Sequence, residues 1–361
     1  MQNLEEDEYW MQRALDLAEL GSNTTLPNPM VGCVIVIDGE LIAEGWHMKF
    51  GEAHAEVNAL NKIKHLSPTT LKKATVYVTL EPCSHFGKTP PCADLLIFRG
   101  VGRVVTSMED PNPKVSGRGH KRLKDAGITV KCGVLEKKAM FLNRKFIAIQ
   151  SFTKPRPYIV LKWAQSQDGF IDTEIDAESG RGGYAITGKE VKDEVHKLRA
   201  ENNGILIGNR TAIVDNPSLT VREIGGVNPT RIIIDPELRV DIETLKMKDK
   251  DGVTLILCSE KAITEYDYDQ VKILPWLDLE MEVWLCKLKE EEGINSLLVE
   301  GGATTHSKFI NLGLYDEIIV FSSQFKLYRG LPAPKFPEVN SGKVEISQVG
   351  IDVRKHYFRI C

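Results

Sequence analysis

The chain has 361 residues, of which 42% are hydrophobic and 27% charged, and its formal net charge is −4. This length exceeds what one hydrophobic core usually holds, so we expect two domains. The slightly negative charge argues against a nucleic-acid partner, and no apolar run approaches the roughly 20 residues of a membrane span. The acidic start lacks the basic region of a secretory signal, and the seven cysteines are odd in number. We therefore expect reduced thiols and a cytoplasmic location.

The first part of the chain alternates helical and strand patterns. Apolar residues from Glu5 to Leu20 recur at helical spacing, and Val31 to Ile37 and Leu41 to Ala43 flank an Asp-Gly turn typical of a hairpin. The patterns that follow predict a helix from about Ala53 to Lys64, a strand at Thr75 to Leu80, a helix from about Ala93 to Arg99 and a strand at Arg103 to Ser107. Such alternation predicts a layered α/β domain.

The segment Ser151 to Pro157 interrupts this alternation with two prolines and several polar residues. We place the domain boundary there, between residues 1–150 and 151–361. A second alternation follows and predicts another α/β domain. Its strands are expected at Tyr158 to Trp163, Gly204 to Ile207, Arg231 to Ile234, Thr254 to Leu257, Ser296 to Val299 and Glu317 to Phe321, and its helices at Lys189 to Ala200, Glu280 to Glu291 and Thr304 to Leu312.

Three residues of the first domain, His54, Cys83 and Cys92, are of types that bind zinc, and Glu56 adds a carboxylate. A catalytic zinc site uses three protein ligands and leaves a fourth position for water, whose pKa the metal lowers to about 7. His-x-Glu followed by Pro-Cys is typical of zinc deaminases, although eight residues separate the two cysteines here instead of two. The pattern predicts Zn²⁺ held by these three residues, with Glu56 moving protons.

Structural alternatives stay open for the same residues. Each of them taken singly is more often structural, since free cysteine is among the most buried residue types. A structural zinc would need a fourth protein ligand, and His85 is the nearby candidate. His47 and His65 have no such context, so we expect ordinary surface or hydrogen-bonded side chains there.

The turn Glu300-Gly301-Gly302-Ala303 lies between a predicted strand and a predicted helix, where backbone N–H groups can hold a phosphate. Glycines at such turns also serve backbone geometry alone, so both interpretations stay open. No Gly-x-Gly-x-x-Gly follows a strand, and we do not expect a Rossmann dinucleotide site.

Together these motifs resemble the bifunctional riboflavin-biosynthesis deaminase–reductases of the RibD family over nearly the whole chain. The segments that carry the resemblance are Pro27 to Gly32, His54 to Val57, Tyr77 to Cys92, Asp110 to Pro113 and Gly117 to Gly119 in the first half, and His196 to Ala200, Ile207 to Thr211, Asp215 to Arg222 and Val299 to Gly302 in the second. The resemblance implies a cytidine-deaminase-like three-layer domain followed by a dihydrofolate-reductase-like domain.

Two successive reactions on a small pyrimidine ribosyl phosphate are implied by the same resemblance. The first is zinc-dependent deamination of 2,5-diamino-6-ribosylamino-4(3H)-pyrimidinone 5′-phosphate, with Glu56 carrying the proton and Asn28 holding the substrate. The second is reduction of the ribosyl group to ribityl by NADPH, although spacing alone does not separate NADPH from NADH. A homo-oligomer is also implied.

For the second domain the resemblance implies two sets of binding residues. The cofactor set is Ala164, Tyr184, Thr211, Asp215, Gly302, Ala303, Thr304, Thr305, His306, Ser307 and Lys308. The substrate set is Gly182, Arg199, Leu219, Arg222 and Glu300. The two arginines suit a phosphate because guanidinium binds its oxygens in a fork, although arginine on a polar helix face is more often simply solvated. Lys162 and Asp215 are the candidate proton donors.

The second domain also departs from the family pattern. Tyr184 stands where tryptophan is usual, and Ser322 to Gly330 replaces a glycine-rich segment with bulkier residues, which predicts an altered sheet edge or cofactor pocket. Two other functions are therefore retained as alternatives. One is a deaminase whose second domain only binds nucleotide or assembles the oligomer, and the other is a zinc-stabilised binding protein without catalysis.

Overall fold

The structure is a computed structural model that describes residues 2–22, 24–85, 90–112, 116–150, 155–173, 185–247, 252–262, 270–337 and 342–359. The chain divides into two compact units, Met1–Lys154 and Pro155–Cys361. The boundary expected after residue 150 falls four residues before this division. Within the described ranges, no helix is both long enough and apolar enough to cross a membrane.

The first unit combines seven helices and five strands within its described residues. Its helices are α1 (Gln2–Glu19), α2 (Ala55–Lys62), α3 (Pro68–Leu71), α4 (Cys92–Arg99), α5 (Arg118–Asp125), α6 (Glu136–Leu142) and α7 (Arg144–Gln150), and its strands are β1 (Gly32–Ile37), β2 (Glu40–Trp46), β3 (Ala74–Val78), β4 (Arg103–Thr106) and β5 (Thr129–Cys132). The strands form one sheet in the order β2-β1-β3-β4-β5, in which β3, β4 and β5 run parallel.

Helices cover both faces of this sheet. Successive side chains of a strand point to opposite faces, so an apolar strand needs a helix packed on each face. In β1, Cys33 and Ile35 belong to a core cluster with Leu60 of α2, whereas Val34 belongs to another cluster with Met11 of α1. The unit is therefore a three-layer α/β/α arrangement. The carboxyl ends of β3, β4 and β5 meet at one edge of the sheet, where loops can carry functional side chains.

The second unit is built on a nine-stranded sheet. Its strands are β6 (Tyr158–Gln165), β7 (Phe170–Asp172), β8 (Gly204–Gly208), β9 (Thr230–Ile234), β10 (Thr254–Leu257), β11 (Val271–Leu274), β12 (Ser296–Val299), β13 (Glu317–Ser322), β14 (Leu331–Pro332), β15 (Lys343–Val349) and β16 (Asp352–Phe358), and its helices are α8 (Lys189–Ala200), α9 (Asn209–Asp215), α10 (Met281–Glu290) and α11 (Ala303–Asn311). The sheet order is β11-β10-β9-β8-β12-β6-β13-β16-β15, and β7 pairs with β14 separately.

The strands of this sheet from β11 to β13 are parallel, and β16 and β15 extend it as an antiparallel hairpin. The parallel strands read as continuous apolar runs, which is expected where both faces are covered. Leu161 and Leu206 pack in one cluster with Trp284 of α10 and Phe309 of α11. The carboxyl ends of β6, β8, β9 and β12 meet at one edge of the sheet, which is where ligands bind in parallel α/β sheets.

A buried carboxylate fastens α1 to the sheet of the first unit. Asp7 accepts hydrogen bonds from Arg103 at 2.8 Å, from Lys131 at 2.7 Å and from the hydroxyl of Tyr77 at 3.0 Å. Burial opposes ionisation of Asp7, but these hydrogen bonds outweigh it and lower the pKa to about 2. The network joins β3, β4 and β5 to one side chain of α1.

We predict that Asp7→Asn destabilises the first unit by about 3 kcal/mol at pH 7, because losing one partner of a buried ion network leaves the other charges uncompensated. The folded pKa lies below the unperturbed value of 3.8, so the stabilisation is fully present above 3.8 and is lost as the pH falls towards 2. Urea unfolding at pH 7 and pH 3 measures both effects. Asp16→Asn, at an exposed position of the same helix, is the matched control. An equal loss at the two pH values would contradict this account.

Candidate active sites

The three predicted metal ligands of the first unit lie together. The ligand atoms of His54, Cys83 and Cys92 are all within 4.8 Å of one another. His54 Nδ1 is 3.6 Å from Cys83 Sγ and 3.3 Å from Cys92 Sγ. One imidazole nitrogen and two sulfurs at these separations match a zinc site with a remaining coordination position.

Helix ends bring these side chains to one place. His54 directly precedes α2 with an extended backbone (φ −70°, ψ 163°), and Glu56 lies in the first turn. On a regular helix, residues two apart point to nearly opposite sides, so the extended residue lets both side chains reach the same cavity. Cys92 begins α4 and its backbone N–H donates to Cys83 Sγ at 3.2 Å.

The two sulfurs share a proton. A hydrogen bond from Cys92 lowers the pKa of Cys83 to about 4, and the same hydrogen bond raises the pKa of Cys92. Zinc binding needs both sulfurs deprotonated, so the ion would displace the proton between them.

Glu56 is 3% exposed and hydrogen-bonds with Cys92. Burial, together with the negative charge at Cys83, raises the pKa of Glu56 to about 7. Such a carboxyl group gives up and accepts protons readily near neutral pH.

A cavity of about 290 Å³ opens in front of these groups. Asn28 lines it, as predicted for a substrate-binding residue. The Asn28 amide donates to Nε2 of His47 at 3.1 Å, while Nδ1 of His47 donates to the Ala53 carbonyl at 3.1 Å. His47 is thus buried and fully hydrogen-bonded, and it also forms part of the cavity wall; His65 is exposed.

His85 is an exposed residue at the cavity and does not belong to the ligand group. Within the described ranges, the three predicted ligands therefore have no fourth protein ligand, which argues against a purely structural zinc. Residues Phe86 to Thr89 of the long loop between the cysteines lie outside the described residues.

The sequence gives Glu81 no role, yet this buried carboxylate lines the cavity and accepts four backbone N–H groups. The donors are Asp110 at 3.1 Å, Gly117 at 2.9 Å, Gly119 at 2.7 Å and His120 at 3.2 Å. Gly119 approaches so closely that an added Cβ would lie 2.1 Å from the Pro82 carbonyl. The segment containing Asp110 is thereby held against the strand end that leads to Cys83.

Other cavity residues were missed as site residues by the sequence reasoning. They are Pro29, Val31, Leu80, Asp110, Asn112, Phe146 and Gln150. Burial raises the pKa of Asp110, whose carboxylate accepts the Asn112 N–H at 2.8 Å. Asp110 and Asn112 fall within a quoted family motif, and their position after a parallel strand is the signal that could have identified them.

The second unit contains a larger cavity of about 680 Å³ at the carboxyl ends of its parallel strands. Most of the predicted site residues line it, namely Lys162, Ala164, Arg199, Thr211, Asp215, Leu219, Glu300, Gly302, Ala303, Thr304, Thr305, His306 and Lys308. Arg222 and Ser307 do not, and Gly182 and Tyr184 lie outside the described residues. Arg222 is exposed and is 3.2 Å from Glu223.

A buried ion group occupies one wall of this cavity. Arg199 donates to both oxygens of Glu300, at 2.8 and 2.9 Å, and Lys162 Nζ lies 3.7 Å from the same carboxylate. Burial opposes ionisation of Glu300, yet the two cations hold its pKa at about 2. The guanidinium fork of Arg199, which the sequence suggested for a substrate phosphate, is therefore occupied by Glu300.

The two glycines after Glu300 have a geometric explanation. A Cβ on Gly301 would lie 2.6 Å from the Ile207 Cα, so close packing against β8 requires glycine there. Gly302 has φ +60°, a conformation that favours glycine. Geometry alone thus accounts for the pair, and phosphate binding at this turn stays a prediction.

The segment Ser322 to Gly330 does not enter the cavity. None of its residues lines the described cavity wall, and Tyr328 is 83% exposed. The Asp168 carboxylate accepts the N–H groups of Leu327 at 3.1 Å and Tyr328 at 2.8 Å. The bulk of the unusual segment therefore faces solvent beside the site.

Several cavity residues were not predicted as site residues, although three of them fall within the quoted family segments. They include Asn209, Arg210, Pro217, Pro236, Leu277 and Trp284. Asn209 and Pro236 closely follow the carboxyl ends of β8 and β9, two predicted strands that are neighbours in the sheet. That topological position is the signal that could have identified them.

Comparison with known proteins relates both units to described families. Residues 4–108 match the cytidine and deoxycytidylate deaminase zinc-binding region, and residues 157–324 match the RibD C-terminal domain. The riboflavin biosynthesis protein RibD of Aquifex aeolicus is 41% identical over 90% of this chain and 89% of its own length. The Escherichia coli protein is 40% identical over 88% of this chain and 87% of its own.

Solved structures agree over the whole chain. Acinetobacter baumannii RibD is 34% identical with a TM-score of 0.84, covering 99% of this chain and 100% of that one. A diaminohydroxyphosphoribosylaminopyrimidine deaminase/5-amino-6-(5-phosphoribosylamino)uracil reductase from Thermotoga maritima is 35% identical with a TM-score of 0.84 and the same coverage. The predicted α/β fold classes, the zinc and NADPH cofactors and the pyrimidine-type substrate are confirmed at family level. The chain belongs to the RibD family and is a bifunctional deaminase and reductase of riboflavin biosynthesis.

Proposed function

We propose that the first unit deaminates 2,5-diamino-6-ribosylamino-4(3H)-pyrimidinone 5′-phosphate and that the second reduces the ribosyl group of the product with NADPH, giving 5-amino-6-ribitylaminouracil 5′-phosphate. The observation that carries the proposal is the cavity in which Glu56 faces the ligand group of His54, Cys83 and Cys92. Hydrolysis replaces the 2-amino group by oxygen from water and releases ammonia.

In the deaminase cavity, each carboxylate has a different role. His54, Cys83 and Cys92 would hold a zinc ion, which would lower the pKa of a bound water molecule. Glu56 would take a proton from that water and deliver it to the departing nitrogen. Glu81 is unsuited to this task because both of its oxygens accept backbone N–H groups.

Asn28 holds the pyrimidine in this proposal. Its amide nitrogen donates to His47, which fixes the orientation of the side chain. The amide oxygen then presents a fixed acceptor towards the cavity, suited to an N–H group on the substrate ring.

In the reductase cavity, bound NADPH would supply a hydride, and Lys162 would supply the proton. Lys162 is a buried ammonium beside Glu300, and burial lowers its pKa, which eases proton release. Asp215 is exposed at the end of α9 and suits cofactor contact better than proton donation. The stretch from Gly302 to Lys308, together with Ala164 and Thr211, would line the nicotinamide nucleotide.

Leu219, Arg222 and Glu300 complete the proposed substrate set. Arg199 lines the cavity but is engaged by Glu300, and Arg222 lies outside the described cavity wall, 3.2 Å from Glu223, so a phosphate would have to compete with a carboxylate at either arginine. A homo-oligomer, a cytoplasmic location and the absence of nucleic-acid and membrane partners also stay proposals, supported by the family resemblance and the net charge of −4.

Mass spectrometry of the substrate after incubation with the zinc-loaded protein tests both reactions. We expect an amine-to-oxo mass change without NADPH and a further gain of two hydrogens only when NADPH is present. Deamination that never proceeds to reduction would support the alternative of a non-catalytic second unit, which the match to a reductase domain disfavours. An unchanged substrate mass would reject the proposal and favour a zinc-stabilised binding protein.

We predict that Glu56→Gln keeps its zinc and slows deamination about 10²–10⁴-fold, because the amide cannot carry the proton. Zinc content by mass spectrometry and single-turnover ammonia release are the measurements. Glu52→Gln, at an exposed position before His54, is the matched control and should behave as wild type. Wild-type turnover in Glu56→Gln would exclude Glu56 as the proton carrier.

For the second reaction, Lys162→Met should slow NADPH oxidation about 10²–10⁴-fold while deamination is unchanged. Glu300 keeps its two hydrogen bonds to Arg199 in this variant, so we expect the unit to fold. Asp215→Asn, in the same cavity, should mainly raise the KM for NADPH. The reverse pattern, with kcat lost in Asp215→Asn and retained in Lys162→Met, would make Asp215 the proton donor.

A further inference from the structure

A second group of metal-binding side chains lies in the first unit, outside the deaminase cavity. One ligand atom each from Glu109, His120 and Cys132 lies within 4.8 Å of the others. Cys132 is the last residue of β5 and pairs in register with Thr106, the last residue of β4. Glu109, His120 and Cys132 are absent from the wall of the cavity that contains Glu56.

We propose that Glu109, His120 and Cys132 form a second metal site that takes a late first-row transition metal ion, with Zn²⁺ as the representative. An imidazole nitrogen, a thiolate sulfur and a carboxylate oxygen are all zinc ligands. The sulfur disfavours Mg²⁺ and Ca²⁺, which prefer oxygen ligands. Three protein ligands leave a coordination position for water or another small ligand.

Thr106 sets the orientation of two of these ligands. Its hydroxyl lies 2.9 Å from Nε2 of His120 and also hydrogen-bonds with Cys132. The hydroxyl has one proton, which goes to the sulfur when Cys132 is a thiolate. Nε2 of His120 must then carry hydrogen and donate to Thr106, and Nδ1 is left with its lone pair on the side of Glu109. Metal-bound histidines commonly donate their second N–H in this way.

The spacing between His120 and Glu109 fits a shared ion better than a direct contact. Nδ1 of His120 is 3.8 Å from Oε1 of Glu109, which exceeds the roughly 2.7–2.9 Å of a charged hydrogen bond. Two ligands with bonds near 2.1 Å in a tetrahedral site are about 3.4 Å apart, so a small side-chain adjustment suffices. The other oxygen, Oε2, accepts the Ser116 hydroxyl at 3.2 Å.

Protonation is compatible with binding. His120 is 4% exposed, and burial lowers its pKa, a direction that favours the neutral imidazole a metal needs. Burial raises the pKa of Cys132, so the incoming ion must displace the thiol proton. Binding of Zn²⁺ therefore releases one proton to solvent and involves no change of oxidation state.

The test uses full-length protein first loaded with one equivalent of Zn²⁺, which fills the site with two thiolates, and then titrated with Co²⁺. We expect a sulfur-to-cobalt absorption band in wild type that is absent in Cys132→Ser and at least tenfold weaker in His120→Ala. Cys286→Ser, at a half-buried cysteine outside both ligand groups, is the matched control and should keep the band. An undiminished band in Cys132→Ser would overturn the proposal.

Total zinc provides the second measurement. Wild type should retain about two Zn²⁺ per chain at micromolar free zinc, whereas Cys132→Ser retains about one and still deaminates. Thr106→Val keeps all three ligands and should weaken the second site about 10–100-fold. One zinc in wild type would overturn the proposal, and unchanged affinity in Thr106→Val would overturn the assignment of Nδ1 as the ligand atom. Neither readout depends on which substrate the first unit uses.

Discussion

The deaminase half of the molecule depends on one buried carboxylate, Glu81, and the four backbone N–H groups that it accepts. These N–H groups belong to a loop and to the start of α5, and they lie beside the end of β3. Burying each of them without a hydrogen-bond acceptor would cost about 1–3 kcal/mol. The carboxylate satisfies all four and thereby brings the Asp110 segment to the metal ligands. Glu81 stands two residues before Cys83. Its side chain therefore connects the loop that carries Cys83 to the segment that carries Asp110.

The reductase half uses a comparable arrangement with different partners. Glu300 directly follows β12 and is held by Arg199 and Lys162 instead of by backbone amides. Breaking such a buried pair by removing one partner typically costs about 3–5 kcal/mol, which keeps the group fixed. Arg199 makes two hydrogen bonds to Glu300, which leaves Lys162 as the cation of this group that we propose as the proton donor. In both units, a buried carboxylate near a strand end, Glu81 or Glu300, fixes the groups that it binds. The neighbouring side chains that it does not bind can still contact a substrate.

Local patterns predicted that His54, Cys83 and Cys92 form one ligand group beside Glu56, because these residues occur at a characteristic spacing near predicted helix and strand ends, and the structure brings them together. Contacts between distant residues were not predictable in this way. The Arg199–Glu300 pair spans 101 residues, and nothing near Arg199 indicates its partner. Some elements were not predicted: α5 (Arg118–Asp125) is mostly charged, with Leu123 its one large apolar residue, and β16 (Asp352–Phe358) interrupts its apolar residues with basic ones. Neither segment therefore contains enough apolar residues in sequence to indicate burial.

The proposed second metal site would act on the same framework that organises the first. The backbone N–H of His120 donates to Glu81, while its side chain faces Glu109 and Thr106. An ion bound there would fix the start of α5 from its outer side, and Glu81 already fixes it from the inner side. Since Asp110 is next to Glu109 in the chain, the ion would also restrain the residue that lines the deaminase cavity. Occupancy of the outer site should therefore matter most for the order of the Asp110 segment, and least for His54 and Cys92, which stand at the starts of α2 and α4.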